Sequence, residues 1–540
     1  MATPIEDLRA AVGDAAAELR NGAPADFTLE RPRQAGFGDF STNAAMLLAP
    51  ALKAPPREIA ERLGKGLSAR LGDQVERVEV AGPGFLNLFL ADAWYTAAAA
   101  HILEAGDAWG AGVAEQPERV LVEFVSANPT GPLTAASGRH AAYGDGLARL
   151  LELAGHEVAR EYYFNDAGSQ LIKLGESIRA RARGEQPPEG GYQGEYVAEL
   201  AAEIPGAAER DTEELAVEGG HILIGQIKET LERYRVTFDV WFSELTLHEG
   251  DPSAIDRAFQ RVAEAGHRYD SEGATWLRTT TFGDDKDRVL RRSTGDPTYF
   301  AADLAYLENK LERGFDRLIT PLGSDHHGYI ARMKAALSTL GADPDRLEIP
   351  MLQFVHLVER GERASMSKRR GDFITLDDLI DEIGVDVARF FMLQRSHDST
   401  VDLDLDLARD QSSENPVYYI QYAHARIASM LRKAGEERVG AALQASADGI
   451  ELHPAERELV KKLLAFPAEV AEAAERRAPH RIAAYALDLA QTFTAFYRDC
   501  RVVGAEPEAV ESFRIGLSVA TKRTIARALG VLGVSAPETM

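Results

Sequence analysis

The chain has 540 residues, 45% of them hydrophobic, one cysteine and a formal net charge of −25. That length supports several domains. A single cysteine, Cys500, excludes an intramolecular disulfide and a cysteine-rich zinc site, and no apolar run reaches the roughly 20 residues that a membrane helix needs. The opening MATPIEDLRAAV has neither a basic leader nor an apolar signal core, so a soluble cytoplasmic protein with no membrane partner is expected. An acidic balance argues against a nucleic-acid binder, but the distribution matters more than the sum. Residues 411–540 hold 16 Lys plus Arg against 16 Asp plus Glu, so the whole negative excess sits in residues 1–410. A polyanion would meet the least repulsion at the C-terminal end.

Residues 1 to about 110 alternate helical and strand patterns, which predicts a separate α+β domain. From Arg119 a βαβ pattern begins. Val120 to Val125 is apolar except for Glu123, and Pro129, Gly131 and Pro132 then break the strand. A helical pattern from Gly138 buries Ala142, Leu147, Leu150 and Leu151 before Gly155 stops it. A helix N-terminus therefore lies beyond a strand end, which is where phosphates bind in open α/β sheets. A polar, helix-rich section over about 171–290, with the turn EQPPEGG at 185–191, reads as an insertion. The sheet is then expected to resume, with a helix over 302–311, a strand over 318–322 and a helix over 329–340 closed by Gly341. The basic stretch ASMSKRRGDFITL (364–376) leads to Thr375 and Asp378, spaced as a helix-capping pair. From about Asp404 onward only helical patterns occur, so the chain should end in a bundle. The expected fold class is multidomain α/β: an N-terminal α+β domain, a Rossmann-like parallel-sheet domain with an insertion, and a C-terminal all-α bundle.

Several segments, taken in order, resemble the arginyl-tRNA synthetases, a family of class I aminoacyl-tRNA synthetases. They are GFGDFSTNAAMLLA (36–49), VAGPGFLNLFL (80–90), the stretch EFVSANPTGPL (123–133), VTFDVWFSE (236–244), TYFAADLAY (298–306), GSDHHGYIARM (323–333), NPVYYIQYAHARI (415–427) and the ending GVLGVSAPETM (530–540). The resemblance implies an additional tRNA-contacting domain over 1–110, a catalytic domain over 115–390 with the insertion at about 171–290, and an α-helical anticodon-binding domain over 391–540. It implies that L-arginine is activated by ATP to arginyl-adenylate and transferred to the 3′-terminal adenosine of tRNA(Arg). In such relatives activation depends on bound tRNA and the usual form is a monomer. Magnesium accompanying ATP is the only metal expected, and adjacent His326 and His327 beside Asp325 do not make a resident metal site.

A guanidinium is a planar fork of donors that calls for carboxylates and aromatic faces in a dry site. By resemblance, Glu123, Ser126 and Asn128 hold the backbone end of arginine, while Tyr299 and Asp303 hold its guanidinium. Asp325 meets the amino acid or the nucleotide, and Asn165, Asp166 and Gln170 form a further wall. Taken singly, Glu123 reads equally as an edge-strand charge and Asp303 as an acid at a helix N-terminus. For tRNA the candidates are Tyr418 and Tyr422, as stacking faces, and Lys522, Arg523 and Arg527, as phosphate contacts or simply a solvated helix face.

The nucleotide would be held by Pro132, Thr134, Ala136 and Ser137 at the helix N-terminus and by Met366, Ser367, Lys368 and Arg369. Lys368, Ser367, Thr134 and Ser137 are the catalytic candidates. The family's second signature has the form KMSKS, and this chain has SMSKR at 365–369. The first signature departs further: where the family normally has two histidines, this chain has Thr134, Ala135, Ala136 and Ser137. Neither replacement can be cationic, and Ala136 adds a methyl where glycine would let adenine lie against the backbone. Arg139 and His140, within the next turn, are the expected compensation. The competing reading is a catalytically impaired relative that binds tRNA or arginine without making adenylate.

Overall fold

Five parallel strands form the sheet that carries the site, in the spatial order 347–348, 317–319, 119–123, 157–164, 240–243. The computed structural model describes residues 3–20, 26–32, 36–166, 168–326, 328–363, 374–447 and 449–540. Residues 120–123 are buried, as suits a central strand covered on both faces. The chain moves outward from this strand through 157–164 to 240–243, then returns to its other side at 317–319. This reversal opens a crevice at the carboxyl ends of the two central strands.

The helix Ala135–Ala154 follows the first strand and lies tight against it: a Cβ at Gly144 would stand 2.1 Å from the Phe124 ring. It starts three residues before the position expected from periodicity, because Thr134 serves as its N-cap. The sheet also resumes earlier than the polar composition suggests. Val240–Ser243 pairs with 161–164 inside the section read as an insertion, and its half-buried edge position explains the weak apolar signal. Three short antiparallel strands at 268–271, 274–277 and 288–291 form a small separate sheet that the polar sequence concealed. The section read as an insertion holds the helices Ser169–Ala182, Glu195–Glu203 and Thr212–Arg233 ahead of the strand 240–243, and Leu245–His248 and Ala254–Glu264 after it.

The N-terminal region is a four-stranded antiparallel sheet, order 29–30, 40–42, 85–90, 75–81, with the helix Pro56–Leu71 packed on strand 75–81. At the other end, the strand Val401–Asp404 pairs with Val355–Glu359, and the helix Val385–Leu393 runs across position 391. A separate three-stranded sheet, order 362–363, 355–359, 401–404, therefore straddles the boundary expected at 390–391. Beyond that strand the described residues are helical, with the longest helices at 416–434, 480–499 and 508–531. Arg389, fully buried, pairs with buried Asp145 of the helix 135–154 and donates to the carbonyls of Tyr234 (2.9 Å) and Leu532 (2.8 Å). This guanidinium ties the first sheet helix to the insertion and to the C-terminal helix.

Candidate active site

A cavity of about 500 Å³ opens at the carboxyl ends of the sheet, and all five strands contribute to its wall. Glu123 and Ser126 come from the first strand, Tyr163 and Asn165 from the second, and Glu244, Thr320 and Ile349 from just past the others. The helix Tyr299–Glu312 closes it with Tyr299, Asp303, Tyr306 and Lys310, spaced to lie on one helix face.

The cavity's acids are not equivalent. Glu161, fully buried beneath it, pairs with Arg313 and accepts from Tyr306. Glu123 has both oxygens engaged: Oε2 lies 2.5 Å from Lys310 Nζ and Oε1 accepts from Ser126 Oγ at 3.1 Å. Expected to meet the amino end of a ligand, it lines the cavity with each oxygen already on a protein partner. Glu244 accepts from the Tyr163 hydroxyl and, among the described residues, has only His248, 3.8 Å away, as an ion-pair partner. Asp303 accepts from Tyr329, and no Lys or Arg ion pair reaches it among the described residues. Burial, reinforced by Glu244 and Glu123, pushes the Asp303 carboxyl up to about 7 despite the Tyr329 hydrogen bond. Burial raises the Glu244 carboxyl as well. Two desolvated carboxylates therefore face the cavity without a Lys or Arg ion pair among the described residues, an arrangement suited to a cationic ligand. Tyr299 stands at the mouth, 60% exposed.

Past the first strand, Val125 and Ser126 adopt left-handed backbone angles, with φ of 67° and 42°. For a β-branched residue this is an outlier, costing on the order of 1–3 kcal/mol. Backbone contacts hold the turn: Ala127 N–H donates to the Tyr162 hydroxyl (3.1 Å), which in turn donates to the Ala127 carbonyl (2.8 Å). Asn128 Nδ2 then donates to Gln170 Oε1 at 2.8 Å, and both residues also line a second cavity of about 630 Å³.

This second cavity reaches the helix N-terminus, where Pro132 and Ser137 line it. Thr134 is buried and is not on its wall: its Oγ1 accepts from Ser137 N–H (3.4 Å) and lies 3.2 Å from Ser137 Oγ. Its role here is the cap, which leaves Ser137 as the hydroxyl facing the cavity. Ala136 is half-buried and not on the wall. Arg139 does not supply the missing charge. Its guanidinium is buried and directed away, donating to the carbonyls of Gln353 (2.7 Å), Ser396 (2.9 Å) and Ser399 (2.7 Å), so it braces the start of strand 355–359. His140 is half-buried one turn into the helix.

Met366, Ser367, Lys368 and Arg369 lie outside the described residues, but the segment that follows them is anchored at the same helix terminus. Ala135 N–H donates to the Ile374 carbonyl (3.0 Å) and Leu376 N–H to the Leu133 carbonyl (2.8 Å). Thr375 and Asp378 form the expected capping box. Asp325 is exposed and absent from the wall of either cavity. Asp166 is also turned away, binding Ser243 Oγ (2.5 Å) and Leu245 N–H (2.9 Å), whereas Asn165 and Gln170 do line the first cavity.

In the helical bundle, Tyr418 and Tyr422 stack with centroids 6.1 Å apart, and the Arg426 guanidinium lies 4.6 Å over Tyr422 and 5.6 Å over Tyr497. Tyr422, Arg426 and Tyr497 border a groove of about 650 Å³ that also holds Arg432, Lys433 and Arg501. Lys522 and Arg527 are committed elsewhere: Lys522 pairs with Glu538 (2.6 Å) and Arg527 donates to the Trp109 carbonyl (3.3 Å). Their helix packs against several others and so has little free face, although Arg523 on it is exposed. Sequence reasoning missed Glu244, Lys310, Tyr329 and Arg426. Two of these fall on a legible spacing: Lys310 on the face of Asp303, and Arg426 one turn from Tyr422.

Parallel sheet, helix terminus, paired cavities and helical C-terminal bundle together define a class I aminoacyl-tRNA synthetase. Residues 6–90 match the model of the arginyl tRNA synthetase N terminal domain, 214–429 the class I (R) catalytic domain of tRNA synthetases, and 420–540 the DALR anticodon binding domain. The arginine–tRNA ligase of Geobacillus thermodenitrificans is 45% identical over 99% of this chain and 98% of its own, and that of Bacillus subtilis 44% identical over the same shares. The chain belongs to the arginyl-tRNA synthetase family. The Thermus thermophilus arginyl-tRNA synthetase structure, 24% identical, has the same fold over 99% of this chain and all of its own, with a TM-score of 0.74.

Proposed function

We infer that this protein joins L-arginine to the 3′-terminal adenosine of tRNA(Arg) in two steps: ATP-dependent formation of arginyl-adenylate, then transfer. The observation that carries this reading is the pair of desolvated carboxylates, Glu244 and Asp303, in a cavity that opens toward the helix N-terminus. The guanidinium takes these two acids, with Tyr299 over the mouth. Asn128 and Gln170, shared by the two cavities, take the amino and carboxylate end. Glu123 and Ser126 support Asn128 from below, and Asp325 contributes from outside the cavity.

The arginine carboxylate oxygen attacks the α-phosphorus of ATP and pyrophosphate leaves. A terminal ribose hydroxyl of tRNA then attacks the arginyl carbonyl and AMP leaves. ATP lies along the second cavity with its phosphates toward Ser137 at the helix N-terminus, near Pro132 and Ala136, where the helix dipole favours negative charge. Met366, Ser367, Lys368 and Arg369 close on the phosphates, Lys368 and Arg369 supplying charge that Thr134 and Ser137 cannot. Mg2+ arrives as part of the nucleotide substrate. Tyr418, Tyr422 and Arg426 offer stacking faces to unpaired tRNA bases, while the N-terminal domain makes further tRNA contacts. The protein acts as a cytoplasmic monomer.

Pyrophosphate exchange and tRNA charging test the reading. Arginine-dependent exchange is expected only with tRNA(Arg) present, together with arginylation of that tRNA. Failure to charge any arginine tRNA would overturn it.

A further inference from the structure

Lys310 has a side chain only 3% exposed, yet it lines the arginine cavity and no step above uses it. Its ammonium sits 2.5 Å from Glu123 Oε2 and 4.1 Å from the centre of the Tyr306 ring. Across the same carboxylate, Ser126 Oγ donates to Glu123 Oε1 at 3.1 Å and accepts from Tyr163 N–H at 3.2 Å. Ser126 is the second of the two left-handed residues in the turn, and Asn128 lies two residues on. A turn with that backbone persists only when its surroundings over-determine it.

We propose that Lys310 is a positioning residue for arginine activation, acting through Glu123 and Ser126 to hold the turn that presents Asn128 to the amino acid. The proposal rests on the reading of this cavity as the arginine site. A merely structural ion pair could face away from the ligand, but both members of this one line the cavity. Lys310 also settles which acids the ligand meets. With Glu123 neutralised, two carboxylates are left for arginine. Without Lys310, Glu123 becomes a third buried acid that must either take a proton or draw a cationic end of the substrate toward itself. Arginine would then still bind, but with its carboxylate displaced from the α-phosphate, and misplacement of that kind is felt in turnover more than in affinity.

The test is tRNA-supported pyrophosphate exchange by Lys310→Met, Glu123→Gln/Lys310→Met and Asp303→Asn beside the parent. Lys310→Met is expected to lower turnover at least tenfold while arginine KM stays within about threefold. In the double variant the side-chain amide at position 123 is neutral and can still accept from Ser126, so most of the turnover should return. Turnover within twofold of the parent in Lys310→Met, or a double variant no better than the single, would overturn the proposal. Should Lys310→Met fail to fold, Lys310→Gln takes its place: an uncharged amide cannot neutralise Glu123, so the same split is expected and unchanged turnover overturns the idea. A parent with no arginine-dependent exchange would overturn the arginine reading itself. An active parent with an impaired Asp303→Asn and a normal Lys310→Met overturns only the role of Lys310.

Discussion

The arginine cavity and the helix terminus beside it share Asn128 and Gln170 but are built on different principles. The cavity draws on the ends of five strands and one helix face, and its acids are held by named tyrosines, a lysine and an arginine. The helix terminus offers one hydroxyl of its own, Ser137, to the second cavity, together with the dipole of a 20-residue helix and Lys173 on the cavity wall. Thr134 is spent on capping and Arg139 on bracing. In the assignment proposed, recognition of the amino acid is thus concentrated in buried charges, whereas stabilisation of phosphate charge is spread over weaker, more replaceable contacts. Substitutions should therefore be severe on one side and mild on the other.

The sharpest contrast comes from Asp303→Asn. Removing one partner of a desolvated charge pair costs about 2–5 kcal/mol, so kcat/KM for arginine should fall at least about 30-fold while ATP KM stays within about twofold. Steady-state exchange with each substrate varied checks this, and equal effects on both substrates would erase the distinction between the two regions.

The pH profile is the next largest effect. The Asp303 carboxyl, pushed up to about 7, is protonated below that pH in the free protein, and a guanidinium requires the ionised form. Arginine kcat/KM should therefore rise roughly tenfold from about pH 6 to about pH 8, and Asp303→Asn should flatten that limb. A profile unchanged by the substitution would assign the titration to another group.

Ser137→Ala probes the other region. Loss of one hydrogen bond to an anionic phosphate costs about 1.5 kcal/mol at the low end of its range, so the adenylation rate should fall roughly tenfold with arginine KM unaltered. A fall of a hundredfold or more would mean that this hydroxyl does far more than its surroundings suggest. The smallest kinetic effect is expected from Thr134→Ala, which removes a cap worth about 1 kcal/mol of stability and should lower the urea midpoint while barely touching ATP KM.

Much of this site was legible from local sequence. The strand–turn–helix at 119–154, the capping pair Thr375 and Asp378 and the all-helical C-terminal end follow from periodicity and turn residues, which are short-range properties. The fifth strand at 240–243 was not, since an edge strand with four half-buried residues has no clear alternation. Nor was the division of labour among the acids: Glu123 reads as a ligand until one of its oxygens is seen on a lysine 187 positions away and the other on Ser126.

By itself the sequence determined the family and the fold class, because these are written in residue type and spacing along the chain. Only the tertiary structure decided what each polar group is free to do. Thr134, Arg139, Lys522 and Arg527 have suitable chemistry, yet packing spends them on a cap, on backbone carbonyls and on an ion pair. Glu244 and Asp303 keep carboxylates open to the cavity. The physical reason is that a buried polar group must be satisfied wherever it lies, and whether its partner is protein or substrate depends on contacts hundreds of residues apart.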